Sequence, residues 1–238
     1  MQYHHPSIVS HAGSTGAVLA ARLAIVMASA VIVLLASLHV LSPEFDPAVR
    51  VLSEYATGGY GWVLSLLFGC WALSSWSLLL AIRSYVRTRA GRVGLGLLGV
   101  AGLGQAMAVV FDITHPLHDL AGALGVLGLP PAALLLSGHL ARLPAWSHHR
   151  RLLLMSAHLT WLSRLVFVAA MVIMLVGYTR AGNRLTPDVI ALAGYANRLL
   201  VVLDCAWLTI AAWPLGAQRR RALTRGSSGS AHVQGVQA

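Results

Sequence analysis

Long apolar runs alternate with short polar stretches along this chain. Six of the runs cover Leu23–Leu41, Tyr60–Ile82, Val93–Phe111, Leu117–Leu140, Leu152–Tyr178 and Arg198–Ala217. At about 1.5 Å of rise per residue, each can cross a hydrocarbon core roughly 30 Å thick. The pattern predicts an all-α, polytopic integral membrane protein, a bundle of six transmembrane helices over residues 17–217. The polar lead ending in Arg22 is long for a signal peptide, and no small-x-small cleavage site follows it. The first run is therefore expected to stay as an uncleaved signal anchor. Residues 1–16 and the Gly/Ser/Gln-rich end of the tail 218–238 carry too little apolar content to fold and are expected to be disordered.

Composition agrees with this pattern. Hydrophobic residues make up 57% of the 238 and charged residues 10%, against about 25% charged in a soluble domain. The mean hydropathy is +0.73. A formal net charge of +10 could suggest nucleic acid. However, every basic residue counted is an arginine, and most lie in short loops between spans, so nucleic acid is not an expected partner. Arg83, Arg87, Arg89 and Arg92 fill the second loop, and Arg142, Arg150 and Arg151 the fourth. Arg219, Arg220, Arg221 and Arg225 open the tail. The first loop instead holds Glu44, Asp46 and Glu54 against Arg50, and the third holds Asp112 and His115. The positive-inside rule then predicts both termini in the cytoplasm and the first and third loops outside an inner membrane. The fifth loop, with Arg180, Arg184 and Asp188, is mildly basic and fits this less well.

Six ionisable groups lie in or at the ends of spans: His39, His118, Asp119, Arg164, Arg198 and Asp204. Charge at membrane depth is costly and faces a bundle interior or a cavity. Arg164 falls about 18 Å from the inner end of its run and about 12 Å from the outer end, and Asp204 about 9 Å in from outside. All six belong to the outer half. Two readings stand. Either these groups pair to hold helices four, five and six together, or they line a ligand pocket. Arg164 and Asp204, at nearly equal depth on neighbouring helices, are expected to pair. Asp119 also meets the positive end of a helix dipole behind Pro116. Pro130 and Pro131 are expected to kink helix four and so help open a pocket.

Other chemistry is weaker. Gly94-x-Gly96-x-x-Gly99 matches a dinucleotide fingerprint only on paper, because no strand precedes it. Gly96, Gly99 and Gly102 are read instead as a small face for close helix packing. His118 and His139 as haem ligands would stand about 31 Å apart along one helix, placing two haems at the membrane surfaces. His115, His118 and Asp119 with His39 lack a third metal ligand at a suitable spacing. Cys70 and Cys205 suggest neither a disulfide framework nor zinc. No cofactor and no metal is expected.

Phe45-Asp46-Pro47 through Ser53-Glu54-Tyr55, then Gly59-Tyr60-Gly61-Trp62, His118-Asp119-Leu120-Ala121-Gly122 and Asn197-Arg198-Leu199 together resemble the bacterial membrane family known as domain of unknown function 998. The resemblance spans about residues 20–217 and implies a six-helix bundle, with no substrate or catalytic residue to carry over. Its motifs fall on the outer side. Loop 42–59 is long for a simple connection and holds Tyr55, with Tyr60 and Trp62 beyond it, aromatics expected at an interface. It is expected to form a short interfacial helix capping the pocket. The preferred functional reading is a non-catalytic lipid-binding or accessory protein, with membrane lipid as partner and a membrane protein or a second copy as further candidates. The other is a small membrane enzyme or transporter for a lipid-like or small polar ligand. No inverted repeat or pair of broken helices speaks for transport.

Overall fold

The computed structural model describes residues 14–48, 50–180 and 187–217, with residues 187–192 described by backbone only. The expected disorder at 1–13 and 218–238, and the charges of the fifth loop between 181 and 186, lie outside the described residues. Six helices span the molecule: α1 Thr15–Leu41, α2 Gly61–Ile82, α3 Arg89–Val110, α4 His118–Leu140, α5 Arg150–Arg180 and α6 Pro187–Gly216. All six contain stretches long and apolar enough to cross a membrane. Each packs on its neighbours in the chain, α6 returns to α1, and α2 and α4 also reach α6. The chain thus closes a ring of helices with α6 as the common partner.

Two helix starts differ from the sequence expectation. Helix α1 begins at Thr15 rather than Leu23, because Ser14 caps it by accepting from the Ala17 N–H at 3.3 Å. Arg22 lies within it, and its Nε donates to the Gly216 carbonyl at the end of α6, 3.2 Å away. Helix α6 begins at Pro187 rather than Arg198. A charge marks the edge of a span only where lipid surrounds it, whereas Arg198 sits inside the helix and is covered by the loop joining α1 to α2.

In lipid, size rather than polarity decides which helix face turns inward, because tails are as apolar as leucine. Helix α1 shows this. Ala17, Ala21, Ala24, Ala28, Val31, Leu35 and Leu38 are buried, alternating steps of four and three as in a left-handed helix crossing. Leu19, Leu23, Val26, Val33 and Val40 on the same helix are exposed. Helices α3 and α4 meet by the same rule, through other glycines than those expected, of which Gly102 alone makes a close helix contact, against α2. A Cβ at Gly96 would touch nothing, and one at Gly99 would only reach Leu79 at 3.4 Å. Gly102 instead faces the Trp76 ring, whose Nε1 donates to the Gly99 carbonyl at 3.2 Å. The close approach runs through Gly94 and Gly104 on α3, and Gly125 and Gly128 on α4. A Cβ at Gly104 would press into the α4 backbone, 2.6 Å from the Ala121 carbonyl oxygen.

The helix ends at the second and fourth loops are tied by specific bonds. His139 stands between the Tyr85 carbonyl (3.1 Å) and the Thr88 hydroxyl (3.2 Å), and so holds the loop joining α2 to α3. Trp146, fully buried in the short 3₁₀ helix Pro144–His149, donates through Nε1 to the Ala211 carbonyl at 3.0 Å. Both residues serve packing at that end of the bundle.

Candidate functional site

The six ionisable groups singled out from the sequence occupy three places rather than one. Arg164 and Asp204 form the expected pair: Nη2 lies 2.7 Å from Oδ2, with side-chain exposures of 4% and 0%. The pair is incompletely satisfied. Arg164 Nε and Nη1 and Asp204 Oδ1 are buried without a hydrogen-bond partner among the described residues. The hydroxyls of Ser156, Thr160 and Ser163 along the same buried stripe of α5 donate to carbonyls of their own helix.

His39 and Arg198 meet under the loop joining α1 to α2. His39 Nδ1 lies 2.6 Å from the Leu35 carbonyl, so it carries the proton and donates there. Nε2 is then free to accept from Arg198 Nε at 3.3 Å. Arg198 Nη1 donates to the carbonyls of Arg50 and Gly194, and its guanidinium lies over the Tyr55 ring, 5.5 Å from the centroid. Tyr55 is fully buried, not an interface residue as its sequence position suggested. It stacks on Phe45 and donates its hydroxyl to the Phe45 carbonyl at 2.9 Å. Tyr60 and Trp62 are exposed.

This packing fixes the loop. Residues Leu52–Thr57 form the expected short helix, of 3₁₀ type. Glu54 accepts from the Val51 N–H and from Arg50, and Asn197 accepts from the Leu52 N–H at 2.8 Å. A Cβ at Gly194 would fall 2.7 Å from the Pro47 carbonyl oxygen, so glycine lets the loop lie directly on α6.

Beneath that loop lies a cavity of about 480 Å³, walled by α2, α3, α4, α5, α6 and residues Val51–Ser53. His118 and Asp119 line it and stand in the first turn of α4. His118 Nδ1 is 3.0 Å from the Phe111 carbonyl, which holds the ring at the mouth. The same mouth loop carries Asp112. The Thr114 hydroxyl and N–H donate to its carboxylate at 2.6 and 2.9 Å and hold its pKa below the ordinary carboxylate range. Deeper in, Phe68, Trp71, Phe167 and Met171 supply apolar wall. Gln105 closes the inner part. With its amide turned to suit its neighbours, it donates to the Trp71 carbonyl and the Ser75 hydroxyl, and accepts from Trp71 Nε1, at 2.9–3.1 Å.

Pro130 and Pro131 lie inside α4, which continues through them. The prolines remove the amide donors that the carbonyls of Val126 and Leu127 would meet one turn earlier. Both residues line the cavity. Arg164 and Asp204 lie beyond the cavity wall, about one turn from its lining residues Phe167, Leu200 and Val201. Of the six predicted residues, only His118 and Asp119 therefore line the cavity. Gln105 and Asn197 do so without having been predicted. Gln105 is a lone amide in an apolar run, and that signal in the sequence was available.

A sequence model of the family described as "Protein of unknown function (DUF998)" matches residues 23–214, and the chain belongs to that family. Neither the curated proteins nor the solved structures offer a match.

Proposed function

We propose, taking that membership and the six-span bundle as premises, that the protein is a non-catalytic binding protein of the bacterial inner membrane. In this reading it holds one lipid-like molecule in the outer half of the bundle. The cavity carries the proposal. Its volume of about 480 Å³ lies in the range of small-ligand sites, which are mostly apolar with a few placed polar groups. Its wall suits an alkyl chain, its ionisable residues stand at the mouth, and the inner amide of Gln105 is satisfied by Trp71 and Ser75, so an amphiphile matches it end for end. The arginine-rich second and fourth loops support an orientation that turns this mouth outward. The ion pair and the histidine–arginine contact serve as scaffold, one within the bundle and one over it.

Gly122 gives a clean test. It lines the cavity, and a Cβ there would meet nothing within 4 Å, so a larger side chain fills space without displacing the fold. Native mass spectrometry of the wild type should show one retained lipid-like molecule, and Gly122→Trp should lose it while keeping its melting temperature. Equal retention by both proteins would refute the proposal.

A further inference from the structure

We infer that the occupant of this cavity is a single-chain amphiphile, drawn from the outer leaflet, whose head carries a protonated amine. The inference rests on the proposal that the cavity holds a lipid-like molecule, and adds the chemistry of the head.

The charge at the mouth carries it. The chain has 17 basic residues against 7 acidic ones, yet among the described residues no arginine lines the cavity, and Asp119 supplies a formal negative charge in its wall. Arginines close to the lining residues are engaged elsewhere. Arg164 is held by Asp204, Arg198 by His39 and the carbonyls of Arg50 and Gly194, and Arg50, next to the lining residue Val51, by Glu54. Asp112, in the loop that contributes Ile113 to the cavity, adds a second carboxylate near the mouth, kept ionised by Thr114.

Beside the amide of Asn197 and the hydroxyl of Ser53, several of the polar groups on offer are acceptors. With Nδ1–H given to the Phe111 carbonyl, neutral His118 keeps Nε2 as a lone-pair acceptor. Asp119 offers carboxylate oxygens. Pro130 and Pro131 also leave the carbonyls of the lining residues Val126 and Leu127 without their usual helical N–H donors. A head that brings several N–H donors and a positive charge satisfies this set. A phosphate or sulfate head would bring negative charge to two carboxylates with no cation to receive it. The volume restricts the tail to a single chain.

The test uses the full chain in nanodiscs of zwitterionic lipid at pH 7, with a pyrene-labelled fatty alcohol as reporter. Dodecylamine, dodecanol and submicellar dodecyl sulfate compete for the reporter on wild type and on Asp119→Asn. Because all arms share the same lipid, membrane partitioning cancels between the two proteins. On wild type the amine should displace the reporter about tenfold better than the alcohol, a difference of about 1.4 kcal/mol, and the sulfate worse than the alcohol. In Asp119→Asn the amine-to-alcohol ratio should fall close to one. An unchanged ratio, or sulfate as the best competitor, overturns the amine assignment while leaving the amphiphile site standing. A reporter that fails to bind wild type, or binds Gly122→Trp equally well, overturns the site and the assignment together.

Discussion

Arg164 and Asp204 allow a prediction that can be worked through in numbers. The pair is 2.7 Å long and almost wholly buried, and each partner already leaves polar atoms unmet. In Arg164→Leu, Asp204 would lose its one hydrogen-bonded cation and remain a lone buried carboxylate. In Asp204→Leu the whole guanidinium would be stranded. Breaking a buried pair by removing one side costs about 3–5 kcal/mol, whereas replacing both sides with apolar residues is often neutral. For a chain of this size, about 2–4 °C of melting temperature accompanies each kcal/mol. Each single variant should therefore melt roughly 6–20 °C lower in a mild detergent. The double variant Arg164→Leu/Asp204→Leu should recover most of that loss, giving a coupling of at least about 3 kcal/mol. Thermal unfolding followed by tryptophan fluorescence measures all four proteins. Losses that add to within about 0.5 kcal/mol would refute the reasoning, since independent sites add and partners do not.

Three further predictions test the rest of the architecture. Gly104→Leu should force α3 off α4 and lower the melting temperature by more than 10 °C, on the order of 3 kcal/mol or more, whereas Gly99→Ala should shift it by less than about 3 °C; thermal scans of both decide this. Asn197→Ala and Arg198→Leu should each loosen the first outer loop and speed amide exchange at Leu52 by roughly tenfold, since about 1–2 kcal/mol of buried hydrogen bonding is lost. Hydrogen exchange with mass spectrometry reads that change. Reporter fusions after Arg92, Arg151 and Arg225 should report cytoplasm, and fusions near Arg50 and Thr186 the outside; an external signal at Arg92 would invert the orientation.

The spans were legible because bilayer thickness sets a minimum apolar length, which all six runs meet. Their edges were less so, since a boundary placed at a charge fails where the charge is buried by protein, as at Arg198. Depth alone led to the Arg164–Asp204 pair, because few partners exist for a charge within a span. Helix faces were hidden. With every side of a span apolar, nothing in the Gly94–Gly104 stretch distinguishes glycines against α4 from Gly96, which packs on nothing. The cavity was half visible. Asp119 and His118 stood out as ionisable groups, while Gln105 is a neutral amide without a motif, Asn197 carries the family resemblance but no charge, and Tyr55 reads as an interface aromatic until the loop folds over it.

The ring that closes between α1 and α6 has a consequence for biosynthesis. Chains emerge from the ribosome in order, amino end first, so α1 can pack on α2 early, but the part of its face that meets α6 must wait for the last span. Arg22 waits likewise for the Gly216 carbonyl, and the outer loop for Asn197 and Arg198. The binding chamber is roofed only when the last span arrives. A ribosome that stalls before α6 leaves five spans with an open seam, a product that quality-control proteases can distinguish from the finished protein by its uncovered small-residue face.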